Sequence, residues 1–167
     1  MLGSAVLEVG MRGRLDATNV VDAPAATAVT RIALDHDASL GDTLSEIAQE
    51  RACIAKAGCP MVLGAMDGHA RAEVRRVALA RGANPVEHAE DTPWGSAERK
   101  TSLQGRHQQD NARTAADLCF HVARRLARLR QERVVDAVGQ AEWPGRMENI
   151  RRYLQFPERV TMCEAYS

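Results

Sequence analysis

The side chains best placed for chemistry lie in a short run near the amino terminus. Ser4-Ala5-Val6-Leu7-Glu8-Val9 is an apolar stretch carrying one carboxylate. A glycine-rich turn follows, Gly10 to Leu15, then Asp16, Ala17 and a helix-starting Thr18-Asn19 pair. A Glu at the carboxyl end of a strand suits Mg²⁺, which takes oxygen ligands and shares them with phosphates. The alternative is a charged strand end facing water. Asp35-His36 closes a second apolar run and would share that sheet edge with Glu8, although imidazole is an uncommon Mg²⁺ ligand. A lone histidine of this kind can equally be structural.

Three further positions carry charge or amide groups in suggestive contexts. On a 3.6-residue repeat, Arg51 shares an arc with Leu44, Ile47, Ala48 and Ala55. A guanidinium on an apolar stripe either reaches a polar site or snorkels its head into water. Gly105-Arg106-His107-Gln108-Gln109-Asp110-Asn111 reads as a helix start able to hold a nucleotide base or phosphate, or as an ordinary capped helix. Trp143-Pro144-Gly145-Arg146 reads as a turn projecting an arginine, a residue whose forked donors match phosphate.

The elements that must position these groups alternate. Residues 4–9, 29–34, 60–65 and 85–88 read as short buried strands. Residues 43–57 open with a Thr43-x-x-Glu46 capping box and read as a helix. Residues 69–82 form a second helix ending at Gly82, and residues 107–131 a third with Leu118, Val122, Leu126 and Leu129 on one stripe. A short helix is expected over 134–140, residues 93–96 take no assignment, and residues 155–167 lack clear periodicity. Strands alternating with helices predict an α/β fold, a mostly parallel sheet flanked by helices.

Composition narrows the function classes. The chain of 167 residues balances 22 basic against 22 acidic residues, so no global charge drives nucleic-acid binding. Few aromatics argue against stacking platforms for single strands. Cys53, Cys59, Cys119 and Cys163 make no C-x-x-C pair, which fits reduced thiols in a cytoplasmic protein. No apolar run approaches a membrane span and no signal-peptide pattern is evident.

Taken in order, Leu7–Val20 (LEVGMRGRLDATNV), Ile32–Gly41 (IALDHDASLG), Asp42–Gly58 (DTLSEIAQERACIAKAG), Leu103–Ala112 (LQGRHQQDNA) and Trp143–Glu148 (WPGRME) resemble the folylpolyglutamate synthase/dihydrofolate synthase family of the Mur-ligase superfamily. The resemblance implies a Mur-ligase-like central ATP-binding domain over residues 1–148, incomplete, with a divergent tail over 149–167. It implies an ATP-dependent, ADP-forming ligase that adds L-glutamate to dihydropteroate or folate, within folate biosynthesis and one-carbon metabolism. Glu8 and His36 fall on the family's Mg²⁺ ligands. Leu15, Asp16 and Ala17 fall where the pterin substrate is contacted, Asn111 on the adenine-binding Asn, and Arg146 on an ATP-phosphate Arg. Arg51 occupies the position of a carbamylated active-site lysine. Arginine stays cationic and cannot carry that carbamate. Arg12 and Cys53 stand where the family has glycines.

The family's phosphate-binding loop and its C-terminal domain find no match in the sequence. The expectation is therefore a chain inactive alone. The alternative is a non-catalytic nucleotide- or folate-binding or assembly module, completed by a separate chain bearing the phosphate loop. Stranded apolar surface predicts self-association. No nucleic-acid or membrane partner is expected.

Overall fold

The computed structural model describes residues 4–10, 13–32, 43–95, 100–126 and 129–143. Three short strands, β1 (Thr27–Val29), β2 (Met61–Leu63) and β3 (Val86–His88), form a parallel sheet in that order. Thr27 pairs with Met61 and Met61 with Val86. Parallel neighbours need crossovers, and two helices supply them: α1 (Leu44–Ala52) and α2 (Gly68–Ala80). The expected parallel α/β architecture is present.

Burial of β2 shows why the architecture is layered. Met61, Val62 and Leu63 are all fully buried although successive side chains point to opposite faces. Both faces must therefore be covered. Met61 and Leu63 join one apolar cluster with Ile47, Ala48 and Ala52 of α1 and Ala70, Val74 and Ala78 of α2. Val62 has the opposite parity and lies outside that cluster. Helix α3 (Arg106–Ala123) packs on β1 and β2, and α4 (Gln131–Gly139) packs on α3.

Local signals fixed the starts of α1 and α2. Thr43 caps α1: its hydroxyl accepts from Glu46 N at 3.2 Å, while Glu46 Oε2 accepts from Thr43 N at 3.1 Å. Asp67 caps α2 by accepting from His69 N at 2.8 Å. Gly82 follows α2 at φ 82°, the left-handed region that glycine tolerates.

Five expectations need correction. Residues 4–9 are not a buried strand; Val6 is 99% and Leu7 56% exposed, and no described strand offers them a ladder. The second predicted strand begins at Thr27 and ends at Val29 within the described residues. Helix α1 ends at Ala52 instead of 57, and α3 ends at Ala123, before residue 131. The face that α3 buries is not the leucine stripe. It carries Gln108, Ala112, Thr114, Ala116, Asp117 and His121, whereas Leu126 is exposed. Close approach to the sheet explains the choice: a Cβ on Gly64, just past β2, would lie 3.0 Å from Thr114 Oγ1. At that point of the face a small residue fits and a leucine would not.

Candidate functional site

The turn after residue 10 is built around one carboxylate. Asp16 Oδ2 accepts from Gly10 N at 2.9 Å, and Oδ1 accepts from Thr18 N at 2.9 Å and Thr18 Oγ1 at 2.6 Å. These bonds, chiefly those from Thr18, hold the Asp16 carboxyl below the usual carboxylate range. Asp16 thereby caps a 3-10 turn at Ala17–Val20. Leu15, beside it, is 74% exposed, and Ala17 is exposed as well. The turn thus presents an apolar tip, with its acid occupied in holding the backbone.

That turn is docked on the carboxyl end of α1. A Cβ on Gly13 would stand 2.6 Å from the Glu50 carbonyl and 2.8 Å from that of Arg51, so only glycine fits. Asn19 Nδ2 donates to the Arg14 carbonyl at 3.0 Å and the Cys53 carbonyl at 3.5 Å. Lys56 Nζ donates to the Asn19 carbonyl at 2.7 Å. Arg51 is half-buried in the last turn of α1, where a cation also complements the helix dipole. Leu15–Ala17 and Arg51, separated by more than thirty positions in sequence, therefore belong to one neighbourhood.

Other expected positions stand apart or outside. Glu8 is exposed on an irregular segment. His36, Arg12 and Arg146, with the tail over 149–167, lie outside the described residues. Asn111 sits exposed in the second turn of α3, with its Nδ2 donating to Gln108 Oε1 at 3.1 Å. Among the described residues no group of three His, Cys, Asp or Glu side chains comes together as a metal site. None of the described helices is long and apolar enough to cross a membrane.

Sequence reasoning passed over a cleft of about 170 Å³ at the carboxyl ends of β2 and β3. Gly64, Arg71, His88, Asp110 and Arg113 line it. Arg113 is 3.3 Å from Asp110 and 3.8 Å from Glu90. Burial, with Arg71 and Arg75 nearby, lowers the His88 pKa and so favours its neutral imidazole. The available signal was His88 at the end of the weakest predicted strand and Asp110 beside Asn111. A second group, also missed, is buried between β3 and α3. His121 Nε2 lies 3.0 Å from Glu87 Oε2, and Asp117 is fully buried one helical turn away. Burial raises the Asp117 pKa; the Thr92 hydroxyl and His121 offset part of that rise. This group ties α3 to β3.

A three-layered parallel sheet with its polar side chains gathered beyond the strand ends has the arrangement of the Mur-ligase fold. No family model matches the chain. Individual relatives do. A "Probable bifunctional folylpolyglutamate synthase/dihydropteroate synthase" of Halobacterium salinarum is 39% identical over 86% of the chain and 19% of that protein. The dihydrofolate synthase/folylpolyglutamate synthase of Bacillus subtilis is 31% identical over 89% of the chain and 39% of that protein. Among solved structures, a folylpolyglutamate synthase complex with AMPPCP and folate superposes with a TM-score of 0.75 at 28% identity, over 86% of this chain and 40% of that one. E. coli FolC in complex with DHPP and ADP gives 0.66 at 25% identity, over 84% of this chain and 35% of that one. The chain is similar over most of its length to folylpolyglutamate synthases and dihydrofolate synthases, and it spans a fifth to two fifths of the length of these relatives.

Proposed function

We propose that the chain is part of an ATP-dependent ligase that joins L-glutamate to dihydropteroate or folate with release of ADP. The observation that carries this reading is the docked turn: Gly13 and Asn19 seat the turn that presents Leu15–Ala17 on the α1 end that bears Arg51, in a chain similar over 86% of its length to folate ligases. The exposed Leu15 side chain offers an apolar surface to a planar pterin. Asp16 keeps the turn in shape. Asn111 would hold adenine and Arg146 a phosphate of ATP. Glu8 and His36 would hold Mg²⁺, which would neutralise phosphate charge when bound. The described residues do not by themselves assemble that metal site, and no step is assigned to it.

Arg51 points to loss of turnover in this chain alone. A guanidinium carries no carbamate, so it puts positive charge where the family's carbamate supplies a negative oxygen. The same residue favours the second reading, a non-catalytic nucleotide- or folate-binding module completed by another chain. Residues 1–148 are assigned to the ligase-like domain and residues 149–167 to a divergent tail. ADP release is measured with dihydropteroate, folate and glutamate, alongside calorimetric titration of dihydropteroate and of ATP-Mg²⁺. The expected result is ligand binding without turnover. Clear turnover refutes the inactivity; absence of binding to either ligand removes both readings.

A further inference from the structure

We propose that Lys56 is a positioning residue for the 13–20 turn, acting through the Asn19 carbonyl to hold the Leu15–Ala17 surface against α1. The proposal rests on the ligase reading for what that surface binds, but not for the clamp itself.

The geometry is that of a latch. Lys56 is half-buried just beyond α1, and its ammonium reaches back 37 positions in sequence to donate to Asn19 O at 2.7 Å. A charged donor on a neutral carbonyl is stronger than an amide donor, and partial burial removes much of the competing water. The same residue, Asn19, holds the turn from its side chain as well. Its Nδ2 bonds both the turn (Arg14 O) and the chain after α1 (Cys53 O). Backbone bonds carry the constraint onward, from Asn19 N to Asp16 O at 3.0 Å, and Asp16 in turn fixes Gly10 and Thr18. Lys56 is itself anchored, because its carbonyl accepts from Cys59 N at 3.1 Å in the tight connection to β2. The connection to β2 therefore reaches the turn through this ammonium, beside the longer Asn19–Cys53 bond and the Gly13 packing.

None of the other described contacts replaces that link. Gly13 packs against α1 by shape alone, and the Asn19–Cys53 bond is long at 3.5 Å. Losing the ammonium frees Asn19, so the turn's own bonds, Asn19 N to Asp16 O and Thr18 N to Asp16 Oδ1, open more often and the turn tilts on α1. Exposed apolar Leu15, carried on that turn, would then lose its fixed position relative to the α1 end.

Amide hydrogen exchange and dihydropteroate titration on the full 167-residue chain test this with Lys56→Met and Lys56→Arg. In Lys56→Met the Thr18 and Asn19 amides are expected to exchange about tenfold faster, with dihydropteroate bound about tenfold more weakly. Amides of β2 and α2 are expected to keep wild-type rates. Lys56→Arg, which retains a cationic donor, should restore both readouts. Unchanged Thr18 and Asn19 exchange in Lys56→Met overturns the proposal. So does uniform acceleration across β2 and α2, which would make Lys56 a general stabiliser. Wild-type chain that fails to bind dihydropteroate, while the exchange contrast persists, removes the ligase reading and leaves the clamp standing.

Discussion

Gly64 offers the sharpest test of how the carboxyl edge of the sheet is built. It follows β2, and its N–H donates to Val29 O at 2.8 Å. A Cβ placed there would stand 2.2 Å from Thr30 O and 2.9 Å from Thr30 C. An ordinary carbon–oxygen contact is about 3.3 Å, so Gly64→Ala is short by about 1 Å against backbone that no rotamer change can move. Relief requires β1 to part from β2 at this end. Overpacking of this kind costs about 1–3 kcal/mol, and weakening the Val29 bond adds about 1 kcal/mol. For a chain of this size each kcal/mol lowers Tm by roughly 2–4 °C, so the variant should melt roughly 5–15 °C below wild type. Gly68→Ala is the matched control: nothing lies within 4 Å of its Cβ position and it occupies the first turn of α2. It should be neutral or stabilise by up to about 1 kcal/mol through the unfolded chain. Scanning calorimetry and urea midpoints compare the three proteins. A Gly64→Ala melt indistinguishable from wild type would refute the packing argument, because no soft neighbour exists to absorb the methyl group.

Two further outcomes are expected. Thr43→Ala removes the capping box of α1 and should cost about 0.5–2 kcal/mol in urea unfolding, with Thr43→Ser recovering most of it; equal stability of all three would show the cap to be idle. Asp117 should impose a pH slope: with its folded pKa raised by burial, its contribution is full below the unfolded carboxylate value and is lost as pH rises through the folded one. Asp117→Asn should therefore gain on wild type as pH rises above about 4, and a difference independent of pH would contradict the burial argument.

The helical periods and strand runs made the parallel α/β order legible, because amphipathic helical stretches alternated with short runs that were mostly apolar. Thr43 and Gly82 marked boundaries through purely local geometry. Residues 4–9 misled for the complementary reason: apolar alternation describes a strand's taste for burial but not whether a neighbour exists to pair with it. The leucine stripe of α3 failed because the gap over Gly64 admits only small side chains, and that gap is a tertiary fact. At the site, the neighbourhood of Leu15–Ala17 and Arg51 was legible only through resemblance. The contacts that make it, from Gly13, Asn19 and Lys56, span distances in sequence that no local pattern encodes. His88, Asp117 and His121 were invisible for the same cause.

The small side chains where α3 meets the sheet also constrain what descendants of this chain can become. Ala112 and Ala116 leave no slack, so any enlargement there would slide the whole cylinder along or away from its bed and carry position 111 with it. Its outward-facing residues are free to drift. Lineages should therefore diversify on one side of that helix while the other stays frozen, and the orientation of whatever its first two turns grip would be inherited with the seam.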